Sequence, residues 1–373
     1  MDKNEIEELK KYAKIHCDCY DKKFPDQQPI MIGKSISCDG FPIDPGAGED
    51  RTTAVFSHFH SDHINNINKA MTNCDNIIMT EATKDALVGT NIITERATLK
   101  SLSPGKSFVT DQREKIELID ANHIPGSSQV LTTLEESNLK ILYSGDFCYP
   151  GITVPKADVL ILEAEHGESI FDFETNRSKV YKQIFSKIFE TLSKDIPVEI
   201  RAHPGTMQEI MAYLEKSVDG NEIDGDVQFF ADKKSVKLTS SLNYFYDNKI
   251  REIQNSTPEI LNDLFENKEP YVRFAPVGVN TLQEERGIVI QADANRGFKK
   301  HGSFFSHDDH RFFACTASHS SYGDVLKYVH EVSPEIVIVD GTRASSQTAK
   351  ELALSISEKE NILAIPHICD NDC

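Results

Sequence analysis

The chain has 373 residues, with 40 Lys plus Arg against 59 Asp plus Glu and a formal net charge of −19. That length allows two or three domains, or one core interrupted by a large insertion. At 39% hydrophobic and 27% charged residues the composition is that of a soluble globular protein, neither disordered nor membrane-embedded, and so large an acid excess argues against a nucleic-acid partner unless the charge is unevenly placed.

The opening residues Met1-Asp2-Lys3-Asn4-Glu5 are charged with no apolar run behind them, so no signal peptide is expected. No stretch approaches the ~18 apolar residues of a membrane span. A cytoplasmic location (nuclear in a eukaryote) with reduced thiols follows. Of the 8 cysteines, Cys17 and Cys19 together with Cys369 and Cys373 offer four thiolates for a structural zinc, but at weak ligand spacing. Ordinary, partly buried thiols are the plainer expectation.

In chain order, a helical pattern over Glu5–Ile15 precedes short β-rich runs that alternate with further helical patterns, which is the signature of a layered α/β protein. The expected strands are Thr53–Ser57, Ile116–Ala121, Ile141–Ser144, Val159–Leu162, Val198–Arg201, Val227–Ala231, Tyr271–Ala275, Ile288–Gln291, Phe312–Thr316 and Ile336–Val339. The expected helices after the first are Glu81–Val88, Arg177–Ser193, Met207–Ser217, Lys234–Tyr246 and Tyr322–Val332. Punctuation at Gly167 and Gly302 brackets a candidate insertion, which divides the chain into 1–168, 169–300 and 301–373.

The most informative segment is Ser57-His58-Phe59-His60-Ser61-Asp62-His63, directly after a β-run. In extended chain His58 and His60 project to one side, while Asp62 and His63 point elsewhere and can serve a second ion. Imidazoles with a carboxylate suit zinc, and less specifically manganese or iron. His123 and Asp146 follow two further β-runs, and ligands delivered from strand ends collect in the crevice where α/β proteins bind substrates.

The order His58/His60/Asp62/His63, His123, Asp146 resembles the metallo-β-lactamase superfamily. Ala121-Asn122-His123-x-Pro125-Gly126 and Gly145-Asp146-Phe147 narrow the resemblance to its β-CASP branch, closest to Artemis and the DNA cross-link repair exonucleases. The resemblance implies an αββα sandwich with an inserted β-CASP cap at 169–300, and 173 positions separate Asp146 from His319, room for such a domain. It also implies roles for further residues. Asp39 braces the histidine loop. Glu163 orients His319, and Ser320 and Ser321 lie at a pocket for a terminal 5′-phosphate, unless they only cap a helix. Glu165 and His166 read as a solvated charge pair, and His203, in Arg201-Ala202-His203-Pro204-Gly205, as a loop residue. Asp340 stands where relatives carry histidine or valine and is a candidate seventh ligand beside His58, His60, Asp62, His63, His123 and Asp146.

The implied activity is metal-dependent phosphodiester hydrolysis, most simply by a 5′ exonuclease acting on DNA in repair. Asp62 would hold the water and His319 would protonate the leaving oxygen. The competing readings are an RNA-processing ribonuclease, a hydrolase of a small ester, thioester or lactam, and a non-catalytic scaffold. The charge distribution is compatible with nucleic acid: residues 169–300 carry 18 Lys plus Arg and 21 Asp plus Glu, a net of only −3. Within them lie the basic runs Lys233-Lys234-Ser235-Val236-Lys237 and Arg296-Gly297-Phe298-Lys299-Lys300.

Overall fold

The computed structural model describes residues 9, 11–16, 28–43, 50–172, 176–279, 286–293, 301–316 and 318–367. The chain is mixed α/β, with three sheets of six, seven and seven strands among the described residues. It divides into two compact units, one comprising Met1–Val88, Ile93–Asp172 and His319–Cys373, the other Gly89–Ile92 and Phe173–Ser318.

In the first unit two sheets share one core. The six-stranded sheet runs in chain order through Ala13–Ile15, Ile30–Ile32, Ile36–Cys38, Thr53–Val55, Asn76–Met79 and Leu99–Ser101. The seven-stranded sheet has the order Leu363–His367, Ile336–Asp340, Val159–Leu162, Leu139–Tyr143, Ser128–Leu134, Glu114–Asp120, Ser107–Val109. Alternation along a strand sends successive side chains to opposite faces. Accordingly Ile141, Tyr143, Val159, Ile161, Ile336 and Ile338 pack with Ile30, Ile32, Ile36, Val55 and Ile78 of the other sheet. Leu142, Leu160, Leu162, Val337 and Val339 face the helices Tyr322–Val332 and Ser346–Lys359. Strands covered on both faces read as continuous apolar runs, which is why Val159–Leu162 and Ile336–Asp340 stand out in the sequence. Both helices start on a serine cap, Ser321 accepting from the Asp324 amide and Ser345 from that of Thr348.

The second unit is a seven-stranded sheet, parallel except at one edge. Its order is Ile253–Asn255, Gln228–Ala231, Tyr271–Ala275, Val198–Ala202, Ile288–Ala292, Arg311–Ala314, Phe304–Ser306. Val198, Ile200, Phe229, Val272, Phe274 and Ile290 cover one face with helices Arg177–Leu192 and Thr206–Leu214. Phe230 and Tyr271 pack on Leu261 and Leu264 of helix Pro258–Glu266 on the other. The unit runs past residue 300 to Ser318, because Arg311–Ala314 pairs in parallel with Ile288–Ala292.

Several elements differ from the sequence reading. Ala13–Ile15, inside the expected helix Glu5–Ile15, is a strand paired with Ile30–Ile32; Ala13 and Ile15 are buried with Lys14 exposed between them, a period of two. Residues 5–8 and 10 of that expected helix lie outside the described residues. Three-residue strands such as Ile36–Cys38 and Leu99–Ser101 are too short to show a period. The helices Ile67–Asn73, Pro258–Glu266 and Ser346–Lys359 also went unread. Lys233, Lys234 and Lys237 sit exposed on helix Lys233–Leu242, which Asp232 caps. Cys17, Cys19, Cys369, Cys373 and the run 296–300 lie outside the described residues. Cys38, Cys74, Cys148 and Cys315 are buried thiols outside any disulfide.

Candidate metal centre

Four strand ends of the first unit deliver the site. Strand Thr53–Val55 leads into the loop of His58, His60, Asp62 and His63. Strand Glu114–Asp120 ends in the His123 turn, where the Ser127 hydroxyl accepts from the His123 amide (3.0 Å) and the Ile124 amide (3.2 Å). Gly126 closes that turn at φ +84, and a Cβ there would lie 2.7 Å from Thr80 Oγ1 and 2.9 Å from the Thr83 nitrogen, so glycine is required. Strand Leu139–Tyr143 leads through Gly145, at φ +53 and pressed against the Ser128 carbonyl, to Asp146. Strand Val159–Leu162 presents Glu163.

These side chains converge on one carboxylate oxygen. Asp146 Oδ2 lies 3.2 Å from His63 Nε2, 3.6 Å from His58 Nε2, 3.6 Å from His123 Nε2 and 4.0 Å from His319 Nε2. The cluster resolves into overlapping groups whose ligand atoms lie within 4.8 Å of one another: His58, His60, His123 and Asp146; Asp62, His63 and Asp146; and Asp146, Glu163 and His319. The fully buried Nε2 atoms of His58 and His63 make no well-formed hydrogen bond, and face only the carboxylates of Asp146 and, for His63, Asp62. A buried polar atom without a well-formed hydrogen bond is unfavourable unless something binds it, and imidazole nitrogens beside carboxylates are a donor set for a transition metal. The residues present therefore fit a metal ion, whose identity the donor set does not select.

Behind the candidate ligands sits a brace. Asp39, held at φ +48, accepts through Oδ2 from Ser57 Oγ (2.5 Å) and Tyr143 Oη (2.8 Å) and lies 2.7 Å from His63 Nδ1; its Oδ1 accepts from the Ser57 amide (2.7 Å). Ser57 Oγ is in turn 3.0 Å from His58 Nδ1. Engaging Nδ1 of each ring turns Nε2 toward the site.

The electrostatics follow from burial and neighbours. Burial holds the pKa of His58 well below the ordinary histidine value, the nearby His63 and His60 adding to the effect. Burial also works against a charge on His63, but Asp146, Asp62 and Asp39 outweigh it and raise the pKa well above the ordinary value. For His319 the opposition of burial is overcome by Glu163, with Nδ1 3.0 Å from its Oε2, and by Asp146; the pKa rises to about 10. Burial lifts Glu163 above the usual carboxylate range, while its Oε1 accepts from the Phe147 amide at 3.0 Å.

Other residues expected at the site are used differently. Asp340 joins none of the converging groups: its Oδ1 accepts from Thr342 N (2.8 Å) and Thr342 Oγ1 (2.7 Å), and its Oδ2 pairs with Arg343 Nη1 at 2.8 Å. The carboxylate is already satisfied. Ser320 and Ser321 are buried. Ser320 Oγ accepts from the Tyr149 amide and donates to the Phe147 carbonyl, and Ser321 Oγ donates to Asp324 Oδ2 besides capping its helix. Their hydroxyls serve the fold. His166 is buried rather than solvated, stacked on Phe171 at 4.6 Å with Nδ1 3.1 Å from the Ser320 carbonyl, whereas Glu165 is exposed. His203 is an exposed loop residue 3.5 Å from Asp293. The sequence reading missed Ser57, Tyr143 and Arg343. Ser57 had a signal, its place next to His58; Tyr143 and Arg343 had none.

No protein-family model matches the chain. It is 32% identical over 109 residues to an "Uncharacterized protein in lig 3'region" of Acidianus ambivalens, an alignment covering 28% of this chain and 74% of that one. The chain belongs to the family of that protein. It is also 32% identical over 117 residues to the mouse (Mus musculus) "DNA cross-link repair 1A protein", which aligns with 31% of this chain but only 11% of the longer protein. In fold it resembles a protein of unknown function from Enterococcus faecalis V583, with a TM-score of 0.56 and 14% identity over 92% of this chain and 94% of the other. Among the described residues no helix is long and apolar enough to cross a membrane.

Proposed function

We propose that this chain is a metal-dependent nuclease hydrolysing phosphodiester bonds in DNA, with a metallo-β-lactamase sandwich as its first unit and a β-CASP-like cap as its second. The observation that carries the reading is the meeting of His58, His63, His123 and His319 within 4.0 Å of one carboxylate oxygen, two of their buried nitrogens making no well-formed hydrogen bond. The limited similarity to a DNA cross-link repair protein supports DNA as the substrate class.

His58, His60, His123 and Asp146 would hold one divalent ion, zinc or manganese; Asp62 and His63, sharing Asp146, would hold a second. Such ions, when bound, supply positive charge for a phosphoryl group and acidify water. The remaining work falls to side chains. Asp62 is 40% exposed in its side chain and is the ligand-group carboxylate able to accept a hydrogen bond from an incoming water. His319, protonated at neutral pH and fixed through Nδ1 by Glu163, turns Nε2 to the cluster and gives its proton to the leaving oxygen. The structural use of Ser320 and Ser321 removes two hydroxyls from a 5′-phosphate pocket, so end selectivity has less support than hydrolysis itself.

Digestion of matched 5′-phosphorylated and 5′-hydroxyl DNA and RNA strands with zinc or manganese tests this. Metal-dependent cleavage of DNA, abolished by chelation and by Asp62→Asn, is expected. Equal inertness toward every strand in either metal overturns the reading, and stepwise shortening of the 5′-phosphorylated strand alone identifies a 5′ exonuclease.

A further inference from the structure

The turn after strand Ile336–Asp340 carries Asp340-Gly341-Thr342-Arg343. The Arg343 side chain is 7% exposed, and its guanidinium reaches four separate segments: Nη1 to Asp340 Oδ2 (2.8 Å), Nε to the Asp62 carbonyl (3.3 Å), and Nη2 to the carbonyls of Gln28 (3.0 Å) and Asp39 (2.6 Å). A planar fork of donors suits such a junction, which an ammonium cannot reproduce. Two of the main-chain acceptors belong to the candidate metal centre. Asp62 is in the histidine loop, and Asp39 carries the carboxylate that grips His63 and Ser57. Asp340 is itself locked by Thr342, so the fork is anchored to the end of a strand buried along its whole length.

We infer that Arg343, oriented by Asp340, is a positioning residue for the Asp62/His63/Asp146 group: it holds the Asp62 main chain and the Asp39 brace so that Asp62 and His63 face Asp146. This rests on the metal reading above. The contacts of Arg343 reach the Asp62/His63/Asp146 group directly, through the Asp62 carbonyl and through Asp39 on His63, and reach His58 only at one further remove, through Asp39 and Ser57. Among the described residues, the hydrogen bonds of Arg343 reach no main-chain group of His58, His60, His123 or Asp146. The strand end that looks like a ligand position thus serves the site from behind, through the backbone of the segments that bear the ligands.

The test is titration of chelator-treated protein with zinc and with manganese, read as heat and as bound metal, on wild type, Arg343→Lys, Asp340→Asn and the double variant, with thermal melts alongside. Wild type should take two ions. Arg343→Lys should weaken the ion of the His58 group much less than that of the Asp62/His63/Asp146 group, which should bind ~10- to 100-fold more weakly, the range for loss of a group that orients ligands. Asp340→Asn, which keeps an acceptor for Thr342, should shift the same ion in the same direction by less. The double variant should be no weaker than Arg343→Lys alone, since both act through one contact. Unchanged second-ion affinity in Arg343→Lys overturns the inference. So do additive losses, equal weakening of both ions together with a fall in the melting midpoint, or a wild type that binds a single ion. Should Arg343→Lys fail to fold, unchanged second-ion affinity in Asp340→Asn overturns it. Two ions in a wild type that cleaves no nucleic acid removes the nuclease reading and leaves the positioning role standing.

Discussion

The loop His58–His63 and the turn Asp340–Arg343 both follow buried strands of the first unit and both carry charged or titratable groups, yet they end in opposite states. In the loop, His58 and His63 have each Nδ1 engaged by Ser57 or Asp39, and each Nε2 faces Asp146 without a well-formed hydrogen bond. In the turn, both Asp340 oxygens have partners and the Arg343 guanidinium is tied to four segments. One region is braced from behind with its candidate ligand atoms turned to a shared carboxylate; the other is the bracing. A strand-end carboxylate therefore either turns into a cluster of histidines, as Asp146 does, or is fixed by an arginine and a neighbouring hydroxyl, as Asp340 is, and residue type alone does not decide between them.

The contrast breaks first at Asp146. Asp146→Ala removes the oxygen shared by both ligand groups, and metal uptake measured by elemental analysis should fall below one ion per chain with hydrolysis reduced at least ~1,000-fold; Asp340→Asn, at the other strand end, should retain the ion of the His58 group. Equal retention in both variants would erase the distinction. Next comes the brace: Asp39→Asn weakens the acceptor for His63 Nδ1 and should lower metal affinity ~10- to 100-fold with little change in the far-ultraviolet dichroism spectrum.

A smaller effect sharpens the electrostatic side. The pKa of His319 is raised from its ordinary 6.5 to about 10 against burial by Glu163 and Asp146. A group with a raised folded pKa contributes stability that is fully present below the unfolded value and is lost as pH climbs through the folded one. The melting midpoint of the chelated protein should therefore decline between about pH 6.5 and 10, and Glu163→Gln should flatten that decline; parallel curves for the two proteins would remove Glu163 as its cause. Smallest is Ser321→Ala. Loss of the cap on helix Tyr322–Val332 should lower stability by ~1 kcal/mol in urea titration, leaving KM for a 5′-phosphorylated strand unchanged. A rise in KM with stability intact would return Ser321 to a phosphate pocket.

The parts of the fold legible in the sequence are those whose signal is local. Val159–Leu162 and Tyr322–Val332 have the bounds that an apolar run and helical spacing indicate. A strand buried on both faces needs an unbroken apolar run, and a capped amphipathic helix needs its spacing. Ala13–Ile15 and Ile36–Cys38 were not legible because three residues hold less than two full periods, and their strand state comes from partners elsewhere. Helix Ser346–Lys359 escaped although Ser345 caps it.

For the site, the sequence by itself determined which donors are on offer. His58, His60, Asp62 and His63 fall within six residues, and the His123 and Asp146 turns need Gly126 and Gly145 where no Cβ fits. Tertiary structure alone decided which of those donors stay open. Whether a polar atom is bare or satisfied depends on partners brought from distant segments: Arg343 meets Gln28, Asp39 and Asp62 across more than 280 positions, and Ser320 meets Phe147 and Tyr149. Hydrogen-bond satisfaction in a core is settled by neighbours in space, so the same carboxylate chemistry yields a histidine-lined candidate ligand at Asp146 and an arginine-paired strut at Asp340.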